Sequence, residues 1–254
     1  MKRILSLIFF FLMLQIVSAS ATSAQSHEEE GIFFKANQAY NEERYQEAID
    51  QYEELIDRGY RSGHLFYNLA NGYFRLNELG EAILNYERSA ALMPRDADLN
   101  FNRSCAMDLA QDAVEARNSL ISMVFFWNAS LNLAELFWIF AIINILFWSI
   151  LIIRVYKKSD WNYYLMIVLS VFWIVAGLSF SLKYYKLNSD NRAVILEAEI
   201  DVLAGPDIND TLLFKLHEGT IVECERDEDD WSLIRISQSK RGWVLNRQTG
   251  KVKL

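Results

Sequence analysis

The residues best equipped for chemistry in this 254-residue chain are amides and aromatic rings that recur at one spacing. Phe33, Tyr67 and Phe101 stand 34 residues apart, as do Asn68 and Asn102, and Asn37 and Asn71 repeat at the same interval one turn along. An asparagine amide both donates and accepts, so a row of them can pair with the main chain of an extended peptide while neighbouring rings bury its side chains. The competing reading is that each amide satisfies nearby backbone or water. Groups suited to catalysis are scarce. There is no phosphate-cradling G-x-x-x-x-G-K-S/T loop, H-E-x-x-H helix, G-x-S-x-G elbow or redox cysteine pair. His217 has no matching ligand nearby in sequence, and Cys105 and Cys224 lack metal or C-x-x-C spacing, so both are expected reduced. Glu225, Asp227, Glu228, Asp229 and Asp230 form an acidic run without the glycine and spaced ligands of a calcium loop, which suits a solvated hairpin turn. The chain is therefore expected to bind rather than catalyse, with no metal or cofactor.

The elements that carry the ladder repeat as well. Ala36 pairs with Ala70, Ala48 with Ala82, Ile49 with Ile83, Tyr52 with Tyr86 and Glu53 with Glu87, each 34 residues apart. That period is the tetratricopeptide (TPR) period of paired helices. Small residues at Ala36, Ala70 and Ser104, and at Ala48 and Ala82, permit close helix approach, and Tyr52 and Tyr86 fill the remaining space. Phe66, Leu69, Ala70, Tyr73, Ala82, Tyr86 and Pro94 match the TPR pattern, whereas Lys35 stands where a leucine is typical. The spacing predicts a helical TPR solenoid over 31–116, with repeats at 31–64 and 65–98 and a capping helix at 97–116. Such a short array is expected to lean on a partner, the membrane or a second copy. TPR domains that clamp a carboxylate have asparagines at the positions of Asn37 and Asn68. The clamp's basic positions are here Phe33, Asp98 and Asn102, which favours peptide binding without carboxylate capture.

Lys2 and Arg3 precede an apolar run from Ile4 to Val17, and Ala19, Ser20 and Ala21 offer a peptidase site, so residues 1–21 read as a secretory signal. Cleaved or not, it exports the residues after it. The next residues, Gln25 to Glu30, are polar enough to be loose. Two further apolar runs, 134–155 and 163–183, are long enough to cross a bilayer, which needs ~20 residues. Trp138, Trp161, Tyr163, Tyr164, Tyr184 and Tyr185 cluster near their ends, where amphipathic rings favour headgroups. Arg154, Lys157 and Lys158 lie in the short connection, but Lys183, Lys186 and Arg192 nearly balance them, so the signal decides the orientation: both flanking parts outside, the hairpin tip inside. Net charge of −8 argues against nucleic acid.

Beyond the second span the pattern alternates, through Val194, Leu196, Val202, Leu216, Val222, Ile234 and Val244, which predicts short strands of a small all-β barrel at 193–254. Gly205-Pro206, Leu216-His217-Glu218-Gly219-Thr220, Trp231 and Gly242-Trp243-Val244 resemble a bacterial SH3 domain. Trp231 and Trp243 are candidate ligand contacts, or else core.

Signal sequence, short TPR array, transmembrane hairpin and SH3 domain, in this order, resemble the BatE-type proteins of the bacterial aerotolerance (Bat) group, as do the segments Phe214 to Thr220 and Ala36 to Tyr40. The resemblance implies an inner-membrane protein of a Gram-negative cell whose TPR and SH3 domains face the periplasm. It also implies partners among membrane-bound von Willebrand A-domain proteins and a MoxR-type ATPase, in assembling or guarding envelope proteins under stress. The alternative is an envelope-recognition protein whose SH3 domain binds wall peptide or glycan while the TPR part forms a homo-oligomer.

Overall fold

Side-chain caps at Ser62 and Asp96, and left-handed turns at Glu43 and Asn77, recur at the sequence period of 34 residues. The computed structural model describes residues 25–112, 123–237 and 240–253. The expected leader at 1–21 lies outside the described residues, as do 113–116 of the expected capping helix. The chain forms two units, one up to Tyr60 and one from Arg61 onward.

In the first unit, α1 (Gln25–Asn41) and α2 (Tyr45–Asp57) pack through Ala36, Ala39, Ala48, Ile49, Tyr52 and Leu55, all at most 2% exposed. Gln25 to Glu30 is helical rather than loose. Glu28 sits in the first turn, where a carboxylate opposes the helix dipole, and pairs with Arg58 of the same unit at 2.8 Å. The turn between the helices puts Glu43 at φ 61°, with Glu43 N–H bonded to Tyr40 O and Arg44 N–H to Ala39 O.

The second unit repeats this turn. Asn77, 34 residues after Glu43, has φ 62°, with Asn77 N–H on Phe74 O and Glu78 N–H on Tyr73 O, again between two helices, α3 (Gly63–Arg75) and α4 (Leu79–Leu92). Ser62 caps α3 by accepting from Leu65 N–H, and Asp96, 34 residues on, caps α5 (Ala97–Leu109) by accepting from Leu99 N–H. Leu65, Phe66, Leu69, Ala70, Ala82, Ile83 and Tyr86 form the core of α3 and α4, each large side chain adding about 1.5–3 kcal/mol of burial. Ser104, by contrast, is exposed and turns its hydroxyl back to Phe101 O. The helix expected to reach 116 stops at Leu109, where Ala110 becomes extended and leads to the anchored Asp112.

After a short α6 (Trp127–Ser130), a capping box of Asn132 and Glu135 opens α7 (Leu133–Tyr156). Residues 157–159 lead into α8 (Asp160–Asn188). The two helices run antiparallel, with Phe137 beside Phe180 at 6.0 Å, Phe147 beside Trp173 at 5.5 Å and Arg154 over Tyr163 at 4.6 Å. Both are long and apolar enough to cross a membrane, and most of their apolar side chains face outward. They exceed the expected spans of 134–155 and 163–183 at both ends.

Among the described residues, seven antiparallel strands come next: β1 (Arg192–Ile195), β2 (Glu199–Leu203), β3 (Leu212–His217), β4 (Ile221–Glu228), β5 (Trp231–Arg235), β6 (Arg241–Leu245) and β7 (Thr249–Lys251). Their order is β3-β2-β6-β5-β4-β1-β7, with irregularities at Val202/Leu203 and Cys224/Arg226. Ala193, Ile195, Ile200, Val202, Leu216, Val222, Ile234 and Val244 form the core on one face. Glu228 pairs with Trp231, so Asp229 (φ 47°) and Asp230 make a tight turn, and the acidic run is the end of a hairpin.

Candidate functional site

The ladder residues divide between the units, Phe33 and Asn37 in the first and Tyr67, Asn68, Asn71, Phe101 and Asn102 in the second. Helical spacing sets Asn37 one turn after Phe33 and Asn71 one turn after Tyr67, and in both pairs the following helix brings up a buried tyrosine. In the first unit the Tyr52 hydroxyl donates to Asn37 Oδ1 at 2.6 Å and its ring lies 5.9 Å from Phe33. In the second the Tyr86 hydroxyl donates to Asn71 Oδ1 at the same 2.6 Å, with its ring 6.2 Å from Tyr67. The chemistry repeats along with the backbone.

A further helix extends the network in the second unit. Asn102 of α5 donates to Asn71 Oδ1 at 3.1 Å and to Tyr67 Oη at 3.0 Å. Asn71 Oδ1 thus accepts two hydrogen bonds, the full capacity of an amide oxygen. Asn37, Asn71 and Asn102 thus bond three tyrosines, and Asn102 bonds Asn71, so the competing structural role accounts for Asn37 and Asn71 Oδ1. Asn68 is half-buried beside Tyr67, and Phe101 is 66% exposed. In each of the two helix pairs the residue at that position covers a tyrosine from the next helix.

The sheet tryptophans share a face. Trp231 stands opposite Leu245 and Leu233 opposite Trp243, and residues opposite or two apart point the same way. Their neighbours Ser232, Ile234 and Val244 point into the core, so both rings lie on the other side of the sheet. Trp243 is nevertheless only 7% exposed, with the Arg226 guanidinium 5.2 Å above its ring, while Trp231 is half-buried.

A third constellation lies where the sheet meets the helices, and no local sequence pattern marks it. The sheet packs directly on α4: Val194 and Val252 belong to the same core as Ile83, Leu84 and Tyr86, flanked by Leu196 and Ile221. Three glycines permit the approach. A Cβ on Gly80 would meet Ile195 O at 2.6 Å, one on Gly219 (φ 80°) Ile83 Cδ1 at 2.7 Å, and one on Gly250 would collide with Leu84 Cδ2. Beside this core the Glu87 carboxylate, 2% exposed, accepts from Arg103 Nε at 2.5 Å and from Arg192 Nη1 at 2.6 Å. Burial favours loss of the Arg192 proton, but the hydrogen bonds to Asp190 and the charge of Glu87 outweigh it and raise the pKa. Arg88 donates to Lys251 O at 2.8 Å, and burial, then the nearby Arg61 charge, lower its pKa.

At the other edge of the junction Asp112 Oδ2 accepts from His217 N–H at 2.9 Å and lies 2.9 Å from Thr220 Oγ1 and 3.3 Å from His217 Nδ1. Burial alone would raise its pKa; the His217 backbone donor, the Thr220 hydroxyl and the His217 ring outweigh that and lower it. His217 is thus a docking residue whose carboxylate partner lies 105 positions earlier. The only legible trace of the junction was the pairing of Glu53 with Glu87; Glu53 is exposed, whereas Glu87 is buried. No protein-family model matches the chain, and no curated protein matches it.

Proposed function

We propose that this chain is a membrane-anchored scaffold of the bacterial inner membrane whose TPR and SH3-like domains, on the periplasmic side, hold segments of partner proteins. The observation that carries the reading is the repeated aromatic, asparagine and tyrosine unit: Phe33, Asn37 and Tyr52, then Tyr67, Asn71 and Tyr86, on helix pairs with the same turn. Within each helix pair the tyrosine holds the asparagine and its neighbouring ring in place, and preorganisation lowers the entropy lost on binding. The exposed Phe101 ring supplies apolar area beside it. The chain acts by binding, not catalysis, and its partners in the Bat-type reading are membrane-bound von Willebrand A-domain proteins working with a MoxR-type ATPase. Photocrosslinkers at Tyr67 and Phe101 in intact membranes should trap one partner. Capture at control positions such as Arg75 and Asp108, but not at these two, would sink the groove.

One observation favours a second, envelope-recognition reading: Trp231, Leu233, Trp243 and Leu245 lie on the sheet face away from its core. Wall fragments should then bind the full chain in detergent and lose affinity with Trp231→Ala. Equal binding by both forms would remove this reading.

A further inference from the structure

The segment that leads into α7 carries large apolar side chains that the protein does not cover. Met123, Val124 and Phe126 are 69%, 64% and 69% exposed. In a water-soluble domain three such neighbours would be costly, and contiguous exposed apolar groups mark a binding surface. The rest of the segment is pinned. Trp127 Nε1 donates to Ser179 Oγ at 3.0 Å, Asn128 Nδ2 to Ser179 O at 3.1 Å, and Lys183 Nζ to Asn128 O at 2.9 Å. Ser179 and Lys183 are 1% and 9% exposed, so these bonds fix the segment against α8.

The attachment point sets a depth along the hairpin. Ser179 precedes the end of α8 by nine residues, or roughly 13 Å at 1.5 Å per residue. The 29-residue α8 measures roughly 43 Å, so centred on a hydrocarbon core of about 30 Å it extends about 6–7 Å past each face, which puts Lys183 at the boundary and Ser179 about one turn beneath it. Phe137 of α7 touches Phe180 at this level, and Phe137 and Trp138 are themselves exposed. The uncovered patch is therefore continuous with the apolar surface of the hairpin. Its backbone is partly satisfied by turns from Asn128 N–H to Phe125 O and from Leu131 N–H to Trp127 O. That suits a boundary layer, where water and headgroups supply the remaining partners, rather than the bilayer centre.

We infer that residues 123–131 form an interfacial segment that lies in the acyl–headgroup boundary of the leaflet holding the N-terminal end of α7, with Met123, Val124 and Phe126 inserted among lipid. The occupant of the patch is a lipid surface. The indole of Trp127 and the ammonium of Lys183 fit the same layer, where amphipathic rings and snorkelling lysines gather. Beside it, Arg95 of the helical part pairs with Glu135 in the first turn of α7. This inference rests on the hairpin spanning the bilayer.

The test uses the full chain with Cys105→Ser and Cys224→Ser, reconstituted in phospholipid vesicles and nitroxide-labelled singly at Phe126→Cys, Val124→Cys, Leu146→Cys or Asp98→Cys. Collision rates with oxygen and with a water-soluble nickel chelate are compared. Labels at 126 and 124 should favour oxygen several-fold, as at 146, while 98 favours nickel. Nickel-favoured labels at 126 and 124, with 146 still favouring oxygen, overturn the interfacial segment and leave the span intact. Nickel access at 146 as well overturns both. Two independent label sites keep the result readable if one substitution misfolds.

Discussion

Glu87→Gln should uncouple the sheet from the helices that carry it. The native carboxylate is 2% exposed and bridges Arg103 of α5 and Arg192 of β1. Removing one partner of a buried ion pair costs about 3–5 kcal/mol, because the remaining charges stay desolvated. Here the two guanidiniums are 30% and 36% exposed, so water recovers part of that, and about 2–3 kcal/mol is expected. Urea unfolding of the full chain in detergent micelles would measure the loss, and hydrogen exchange should rise at β1 and α5 before it rises in α1 and α2. A double-mutant cycle with Arg192→Gln should give a coupling of about 1–3 kcal/mol. Arg44→Gln, which disrupts exposed pairs with Glu42 and Glu47, should cost less than about 1 kcal/mol. A Glu87→Gln effect no larger than that control, or a cycle with no coupling, would refute the view that this carboxylate holds the junction.

Three further outcomes can be measured on the same protein. Gly219→Ala meets Ile83 Cδ1 at 2.7 Å from a left-handed backbone, and should destabilise by about 2–3 kcal/mol in thermal unfolding. Glu43→Asn relieves a left-handed glutamate in the turn where the second helix pair already uses Asn77, and should stabilise by about 0.5–1 kcal/mol in urea. Asp112 is held below the usual aspartate value of 3.8, so its contribution is complete above that value and is lost as pH falls through the lower folded value. Stability followed from pH 6 downward should therefore drop more steeply below about 4 in the native protein than in Asp112→Asn.

The repeat was legible because its causes are local. Apolar residues at helical spacing, a cap at Ser62 and again at Asp96, and turns at Glu43 and Asn77 all act within a few positions, so a period in the residues becomes a period in the backbone. Gln25 to Glu30 is polar yet ordered, because it starts a helix and Glu28 pairs with Arg58, a partner 30 residues away that local polarity does not reveal. The helix ending at Leu109 rather than 116 was not readable, because Asp112 is drawn to partners more than a hundred residues away.

The amino-acid sequence by itself determined the helix pairs, the two long apolar helices, the alternating strands and the positions of the ladder residues. Only the tertiary structure decided what those residues touch. Whether Asn71 faces a ligand or Tyr86, which side of the sheet carries Trp231 and Trp243, and whether the sheet stands apart from the helices depend on long-range packing. Glu87, Arg192 and His217 look like surface residues in any local window. They become a junction because burial removes water from Glu87, and docking supplies Arg192 as its donor and Asp112 as the acceptor for His217 N–H.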